Sequence, residues 1–230
     1  MHQSVPRWTG KAVDIAPSQP WSSCANRRDP SSWFRSYIQT YLARDIRSLS
    51  NIRDLATFRR FIALLAARCG QMLNKTNVAG PLGVSVPTIS QWLSMLEVTG
   101  QIPPFYENFG KRLVKTPKLY FADPGLLCHL LGIPDEKGLR TSPFLGAILE
   151  NYVAAEVVKH RLNRGKGRDL YYFRDRQGLE VDFLLDRGNR KVSLLEVKAT
   201  RISLPGCDRH PVPLRCPVAG VATLRTSDRG

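Results

Sequence analysis

The sequence predicts a mixed α/β fold of the α+β class, in which helices come first and a small sheet follows. Apolar residues recur at helical spacing through much of residues 31–161, as in amphipathic helices. Three later segments, 170–174, 180–185 and 191–198, instead alternate β-branched or aromatic residues with polar ones, which favours strands. Hydrophobic residues make up 43% of the 230-residue chain, which is enough for a packed core.

This periodicity divides the chain into four expected regions. Residues 1–30 contain four prolines and are expected to form an irregular lead. Residues 31–133 are predicted to be a helical and winged helix-turn-helix region, and residues 134–200 a small α/β domain. Residues 201–230 are rich in proline and are expected to form an irregular, disordered or aberrant tail.

Charge points to a polyanionic partner. The chain has 34 Lys and Arg against 19 Asp and Glu, a formal net charge of +15. DNA is the first candidate, because clustered cations displace the counterions of phosphates; a merely basic surface is the alternative. The longest apolar run, residues 61–67, is far below the roughly 20 residues of a membrane span. No secretory signal or Cys-x-x-Cys pair is found, so we expect a cytoplasmic protein without a membrane partner.

Residues 75–98 carry the pattern of a helix-turn-helix. A short helix would end at the turn 83–85, and Pro87 suits the first turn of a second helix. Extended segments near 102–106 and 118–121 flank a basic stretch and predict a wing. The candidate DNA-binding residues are Thr88, Ser90 and Gln91 on the second helix and Lys111, Arg112 and Lys115 in the wing. Docking to a protein is an equally weighted alternative, because the second helix lacks Arg and Lys.

The strongest chemical signal is a set of charges on the last two predicted strands. Residues two apart on a strand point to the same face of the sheet. Glu180 and Asp182 therefore share a face, and so do Glu196 and Lys198. A three-residue loop at 188–190 would set Asp182 opposite Glu196, and Glu180 opposite Lys198. Two facing carboxylates suit Mg²⁺ or Mn²⁺. The alternative is a solvated face with cross-strand ion pairs.

The upstream helix carries Glu150 and Glu156, one of which could point over the sheet as a further ligand, and Lys198 could orient or help deprotonate a water. Helix with Glu, hairpin with Asp, then Glu-x-Lys is the order of parts in PD-(D/E)XK nucleases. Several segments together resemble the C-terminal half of prokaryotic AAA-type ATP-binding proteins, a conserved domain of unknown function described as a winged helix followed by a PD-(D/E)XK-like fold. These segments lie within residues 33–46, 83–90, 111–113, 117–121, 146–153 and 172–198.

That resemblance implies candidate catalytic roles for Glu150, Asp182, Glu196 and Lys198, with Asp182 and Glu196 as metal ligands. It also implies an ATPase domain or a second copy of the chain as a partner. The chain has no Gly-x4-Gly-Lys-Ser/Thr loop, so ATP is not expected as a cofactor. The similarity ends near residue 200, as expected of a truncated or frameshifted gene product.

The leading prediction is therefore a non-ATPase fragment of an AAA-type ATP-binding protein. Its nuclease-like module would hydrolyse DNA phosphodiesters with Mg²⁺ or Mn²⁺. The alternatives are a non-catalytic module that binds DNA or docks a protein, and a truncated gene product without function.

Overall fold

The computed structural model describes residues 12–13, 30–39, 54–102, 117–167, 170–174, 180–186, 191–198 and 218–225. The helices in these ranges are α1 Pro30–Tyr37, α2 Leu55–Ala66, α3 Lys75–Leu82, α4 Val86–Val98, α5 Pro124–Leu130, α6 Glu136–Thr141 and α7 Leu145–Leu162. The strands are β1 Ala12–Val13, β2 Leu170–Arg174, β3 Glu180–Asp186, β4 Lys191–Lys198 and β5 Val218–Arg225. This combination of helices and an antiparallel sheet confirms the α+β class.

The predicted helix-turn-helix segment forms the two short helices α3 and α4. Asn74 and Ser85 cap them, because each side chain accepts hydrogen bonds from backbone N–H groups of the first turn. Gly83 ends α3 with a φ of 66°, a left-handed conformation that glycine adopts without a steric penalty. Pro87 occupies the first turn of α4, where its missing N–H has no helical partner to lose.

An aromatic cluster forms the centre of the helical part. The ring of Trp92 lies 5.1 Å from that of Phe61 and 5.3 Å from that of Phe58, measured between centroids. Phe61 is fully buried. Because Phe58 and Phe61 belong to α2 and Trp92 belongs to α4, the cluster packs α4 against α2.

Residues 117–121 lie between this helical core and α7 and form hydrogen bonds with both. The backbone oxygen of Leu119 accepts a hydrogen bond of 2.8 Å from Gly70 N–H. Asn151 on α7 is fully buried, accepts from the backbone N–H of Phe121 and donates to its carbonyl oxygen at 3.1 Å. Both backbone groups of Phe121 are thereby satisfied in an environment without water.

The sheet has the strand order β1-β5-β4-β3-β2, and every pair is antiparallel. Between β3 and β4, Phe183 is opposite Leu195 and Asp186 is opposite Val192. These pairs have the register that is predicted for a three-residue loop at 188–190. The loop itself lies outside the described residues, as does the predicted wing with Lys111, Arg112 and Lys115.

The structure corrects the expectation of an irregular tail for residues 218–225, which form β5 along the edge of β4. The expected irregular lead likewise contains β1, in which Ala12 is paired with Gly220 of β5. The physical reason is that the segment after Pro217 is free of proline and rich in small and β-branched residues, so it can hydrogen-bond to an open strand edge. The four-region division of the chain stays a prediction.

Candidate functional site

Glu150 lies in the second turn of α7 and is largely buried, with 17% of its side chain exposed. Its Oε1 atom is 3.0 Å from the Nζ atom of Lys118 and also accepts a hydrogen bond from the Tyr120 hydroxyl. Both partners come from residues 117–121, the segment that packs between the helical core and α7. A carboxylate that sequence reasoning assigned to a metal therefore already has a cation and a hydroxyl donor from its own chain.

Lys118 also contacts the sheet. Its Nζ atom is 2.9 Å from Oε1 of Glu180 on β3 and 5.6 Å from the centroid of the Tyr172 ring. The lysine side chain is only 5% exposed. The ammonium group thus lies between the carboxylates of Glu150 and Glu180. We call the four residues Lys118, Tyr120, Glu150 and Glu180 the Lys118 cluster.

Burial and charge determine the protonation of the Lys118 cluster. Burial raises the pKa of Glu150, although Lys118 and the Tyr120 hydroxyl oppose the shift. Burial alone would lower the pKa of Lys118, but the nearby carboxylates outweigh it and the net shift is upward. Burial, together with Glu150, raises the pKa of Tyr120. Lys118 is therefore held as the ammonium and Tyr120 as the neutral phenol.

The remaining predicted residues lie on the hairpin of β3 and β4. The observed register, continued by one pair, sets Asp182 opposite Glu196. Oδ2 of Asp182 accepts a hydrogen bond of 2.8 Å from the backbone N–H of Val197. Lys198 Nζ is 3.0 Å from Glu196 Oε1, with 68% and 48% of the two side chains exposed. Burial raises the pKa of Asp182, and the charges of Glu196 and Glu180 add to this shift against the Val197 N–H and Lys118.

The structure therefore brings the predicted residues together in two groups. Asp182, Glu196 and Lys198 share the hairpin and Glu150 belongs to the Lys118 cluster, and the charges of Asp182 and of this cluster act on each other. The expected cross-strand contact of Glu180 with Lys198 is replaced by contacts of Glu180 with Lys118 and of Lys198 with Glu196. The catalytic roles of the four candidates stay predictions.

Sequence reasoning did not single out Lys118 and Tyr120 as site residues. They were noted only as part of an extended segment. One signal was available: Lys118 precedes the apolar run Leu119-Tyr120-Phe121, and a lysine next to a buried strand needs a carboxylate partner. The spacing along the chain does not reveal which carboxylate that is.

A divalent cation does not fit at Oε1 of Glu150, which Lys118 and Tyr120 already occupy. Among the described residues, no group of three or more His, Cys, Asp and Glu side chains is placed to hold a metal ion. One oxygen of each candidate carboxylate has a partner from the chain: Glu150 Oε1 contacts Lys118, Asp182 Oδ2 accepts a backbone N–H, and Glu196 Oε1 contacts Lys198. Mg²⁺ and Mn²⁺ require such oxygens as direct ligands.

The predicted DNA-binding residues of α4 differ in exposure. Gln91 is exposed, whereas Thr88 and Ser90 are half-buried. The Thr88 hydroxyl is 2.8 Å from the Ser85 hydroxyl, and Ser90 accepts a 3.0 Å hydrogen bond from Lys75. Lys75, at the start of α3, thus places a positive charge beside a helix that has none of its own.

A stronger positive surface lies at the C-terminal end of α7. Residues 157–167 contain no Asp or Glu, although Glu156 of the preceding turn forms a 3.2 Å ion pair with Lys159. We call the surface formed by Lys159, Arg161, Arg164 and Lys166 the basic end of α7. All of them are exposed except the half-buried Arg161, whose Nε donates to the Gly167 carbonyl at 2.9 Å. Cations are favoured at a helix C-terminus, but Arg164 and Lys166 lie beyond the last helical residue, Leu162.

Fold and site together define a two-part α+β protein, in which a buried ion cluster joins a helical part to a sheet. The chain belongs to the family of a domain of unknown function, DUF8612, whose model matches residues 19–137. A second domain of unknown function, DUF4143, matches residues 145–205 and is known in contexts associated with AAA-type ATPases.

The chain is similar to an uncharacterized protein of Mycobacterium bovis and to one of Mycobacterium tuberculosis, each 33% identical over 193 residues. The aligned part covers 83% of this chain and 42% of each relative, so the chain spans less than half of their length. No solved structure shows significant similarity to the chain. Within the described residues, no helix is long and apolar enough to cross a membrane.

Proposed function

We propose that the chain is a nucleic-acid-binding module of an AAA-type ATP-binding protein, built from a winged helix and a PD-(D/E)XK-like sheet domain. In this proposal it binds duplex DNA through the phosphates. The observation that carries the proposal is the basic end of α7, with four cations and no acidic residue across residues 159–167. The formal net charge of +15 supports it.

The helical position and the exposure of these cations indicate which of them a nucleic acid would contact. Arg161 follows Glu150 by 161 − 150 = 11 residues on α7, which is about 17 Å along the axis at about 1.5 Å per residue. Eleven residues at about 100° each return to within about 20° of the same side of the helix. Arg161, the half-buried member of the basic end, therefore lies on the side of α7 that carries Glu150, and the exposed Lys159, Arg164 and Lys166 are the cations that a nucleic-acid backbone would contact.

Salt-dependent binding tests the proposal. The test variant is Lys159→Gln/Arg164→Gln/Lys166→Gln, and the matched control is Arg35→Gln/Arg59→Gln/Lys137→Gln, which removes three exposed charges from three other helices. Fluorescence anisotropy with a labelled duplex measures the slope of log K against log salt, which is negative. In the test variant this slope should be shallower by about 2 to 3 units, because up to three phosphate contacts are lost. The control should change it little. Equal weakening of both variants, or no binding at low salt, would contradict the proposed surface.

Phosphodiester hydrolysis is a second candidate, favoured by the β3–β4 register, because its continuation by one pair beyond Phe183 and Leu195 sets Asp182 opposite Glu196. A plasmid-nicking assay with Mg²⁺ or Mn²⁺, in which Asp182→Asn and Glu196→Gln remove the activity, would establish it. Absence of cleavage by the wild type under conditions where it binds the plasmid would leave the non-catalytic module as the function.

A further inference from the structure

The Lys118 cluster has an ammonium group where a nuclease-like site would need a divalent cation. We propose that Lys118 is the resident cation of this site and keeps it closed to divalent metal ions. The inference rests on the nuclease-like arrangement in the proposed function, and it favours the non-catalytic module over phosphodiester hydrolysis.

The contacts of Lys118 show why its ammonium group and a divalent metal ion cannot both bind Glu150. Nζ of Lys118 is 3.0 Å from Glu150 Oε1 and 2.9 Å from Glu180 Oε1, and the same Glu150 atom accepts the Tyr120 hydroxyl. A metal ion at Glu150 would have to take over that oxygen. An ammonium and a dication at such short range repel each other strongly, since the site is largely shielded from water.

The backbone of Lys118 holds the ammonium in place. Lys118 forms an isolated β-bridge with Met72, and Pro117 accepts a 2.8 Å hydrogen bond from Leu73 N–H. The segment is thereby fastened to the helical part, while the side chain reaches Glu180 on the sheet. Because the Lys118 side chain is only 5% exposed, the packing around residues 117–121 restricts how far its ammonium can move from the carboxylates. Packing of the helical part therefore determines whether the acidic site is open.

Manganese binding to the full chain tests the inference without requiring activity. Lys118→Met removes the charge and keeps an unbranched side chain, and Lys118→Arg is the matched control that retains the charge. Electron paramagnetic resonance of free Mn²⁺ measures binding directly. We expect Lys118→Met to bind Mn²⁺ at least about ten-fold more tightly than the wild type and Lys118→Arg, because a unit positive charge next to the dication is lost. Adding Glu150→Gln to Lys118→Met should abolish the gain.

Two results would overturn the inference: equal Mn²⁺ affinity in the wild type and Lys118→Met, or a gain that persists with Glu150→Gln. If circular dichroism shows that Lys118→Met does not fold, the wild type decides. A wild-type Mn²⁺ site that Glu150→Gln removes would contradict the inference, and lack of any such site would support it. Wild-type cleavage with Mg²⁺ that Glu150→Gln removes would also overturn the inference, whereas loss of DNA binding would concern the proposed function alone.

Discussion

Replacing Lys118 by methionine should destabilise the fold substantially. The substitution leaves Glu150 without its cation at a position where only 17% of the side chain is exposed. Removal of one partner from a buried ion pair costs about 3–5 kcal/mol. Glu180 adds little, because 36% of its side chain is exposed and its charge is screened by water. We therefore expect a loss of about 3 kcal/mol in the free energy of unfolding at pH 8.

The loss in the free energy of unfolding should depend on pH, and the protonation of Glu150 determines whether it grows or shrinks as pH rises. Burial already raises the pKa of this carboxyl in the folded chain, and removing Lys118 raises it further. Between the unfolded pKa of about 4.3 and the raised folded pKa, the folded chain binds more protons, so stability falls as pH increases. Urea unfolding should show a small penalty near pH 4 and the full penalty above the folded pKa of Glu150.

A double-mutant cycle gives the decisive comparison. If the penalty comes from an unpaired carboxylate, Glu150→Gln in the Lys118→Met background should recover most of it at pH 8. Strictly additive losses, or a penalty of the same size at pH 4 and pH 8, would refute the reasoning. In that case the lysine would stabilise the chain by packing of its aliphatic stem and not by its charge.

Other residues give sharp tests of the same structure. Asn151→Ala should cost about 2–4 kcal/mol by urea unfolding, because it leaves both backbone groups of Phe121 buried and unpaired; a loss below 1 kcal/mol would show that water replaces the amide. Phe61→Ala should cost about 3–5 kcal/mol through the cavity it leaves beside Trp92, with an unchanged far-ultraviolet spectrum of the remaining folded population. Asp182→Asn should slightly raise metal-free stability at pH 7 and not at pH 3, since burial raises the pKa of Asp182 and an amide oxygen can still accept the backbone N–H; lower stability at pH 7 would contradict this. Calorimetry should detect no ATP binding to the purified chain, because it contains no phosphate-binding loop; saturable binding would overturn the prediction.

Periodicity and turn chemistry were sufficient to predict much of the local structure. The predicted strands 170–174 and 191–198 agree with the observed bounds, and the third extends by one residue to Asp186. The observed register of the β3–β4 hairpin is the one predicted for a three-residue loop; a two-residue loop would have shifted it by one residue and reversed the faces of every side chain. These features depend on neighbours within a few residues or within one hairpin.

Tertiary structure decided the rest. Lys118 meets Glu150 and Glu180 only because residues 117–121 pack between the helical core and α7, and no spacing in the sequence encodes that contact. Likewise, β5 has little periodic signal of its own and becomes a strand by pairing with the edge of β4. The sequence by itself determined the described helices except α6, which forms in a segment that its polar composition indicated to be a linker, and it determined three strands and the candidate acidic residues. Which cation those acids bind depends on long-range packing, because burial and the charges of distant residues set the protonation and the partner of each carboxylate.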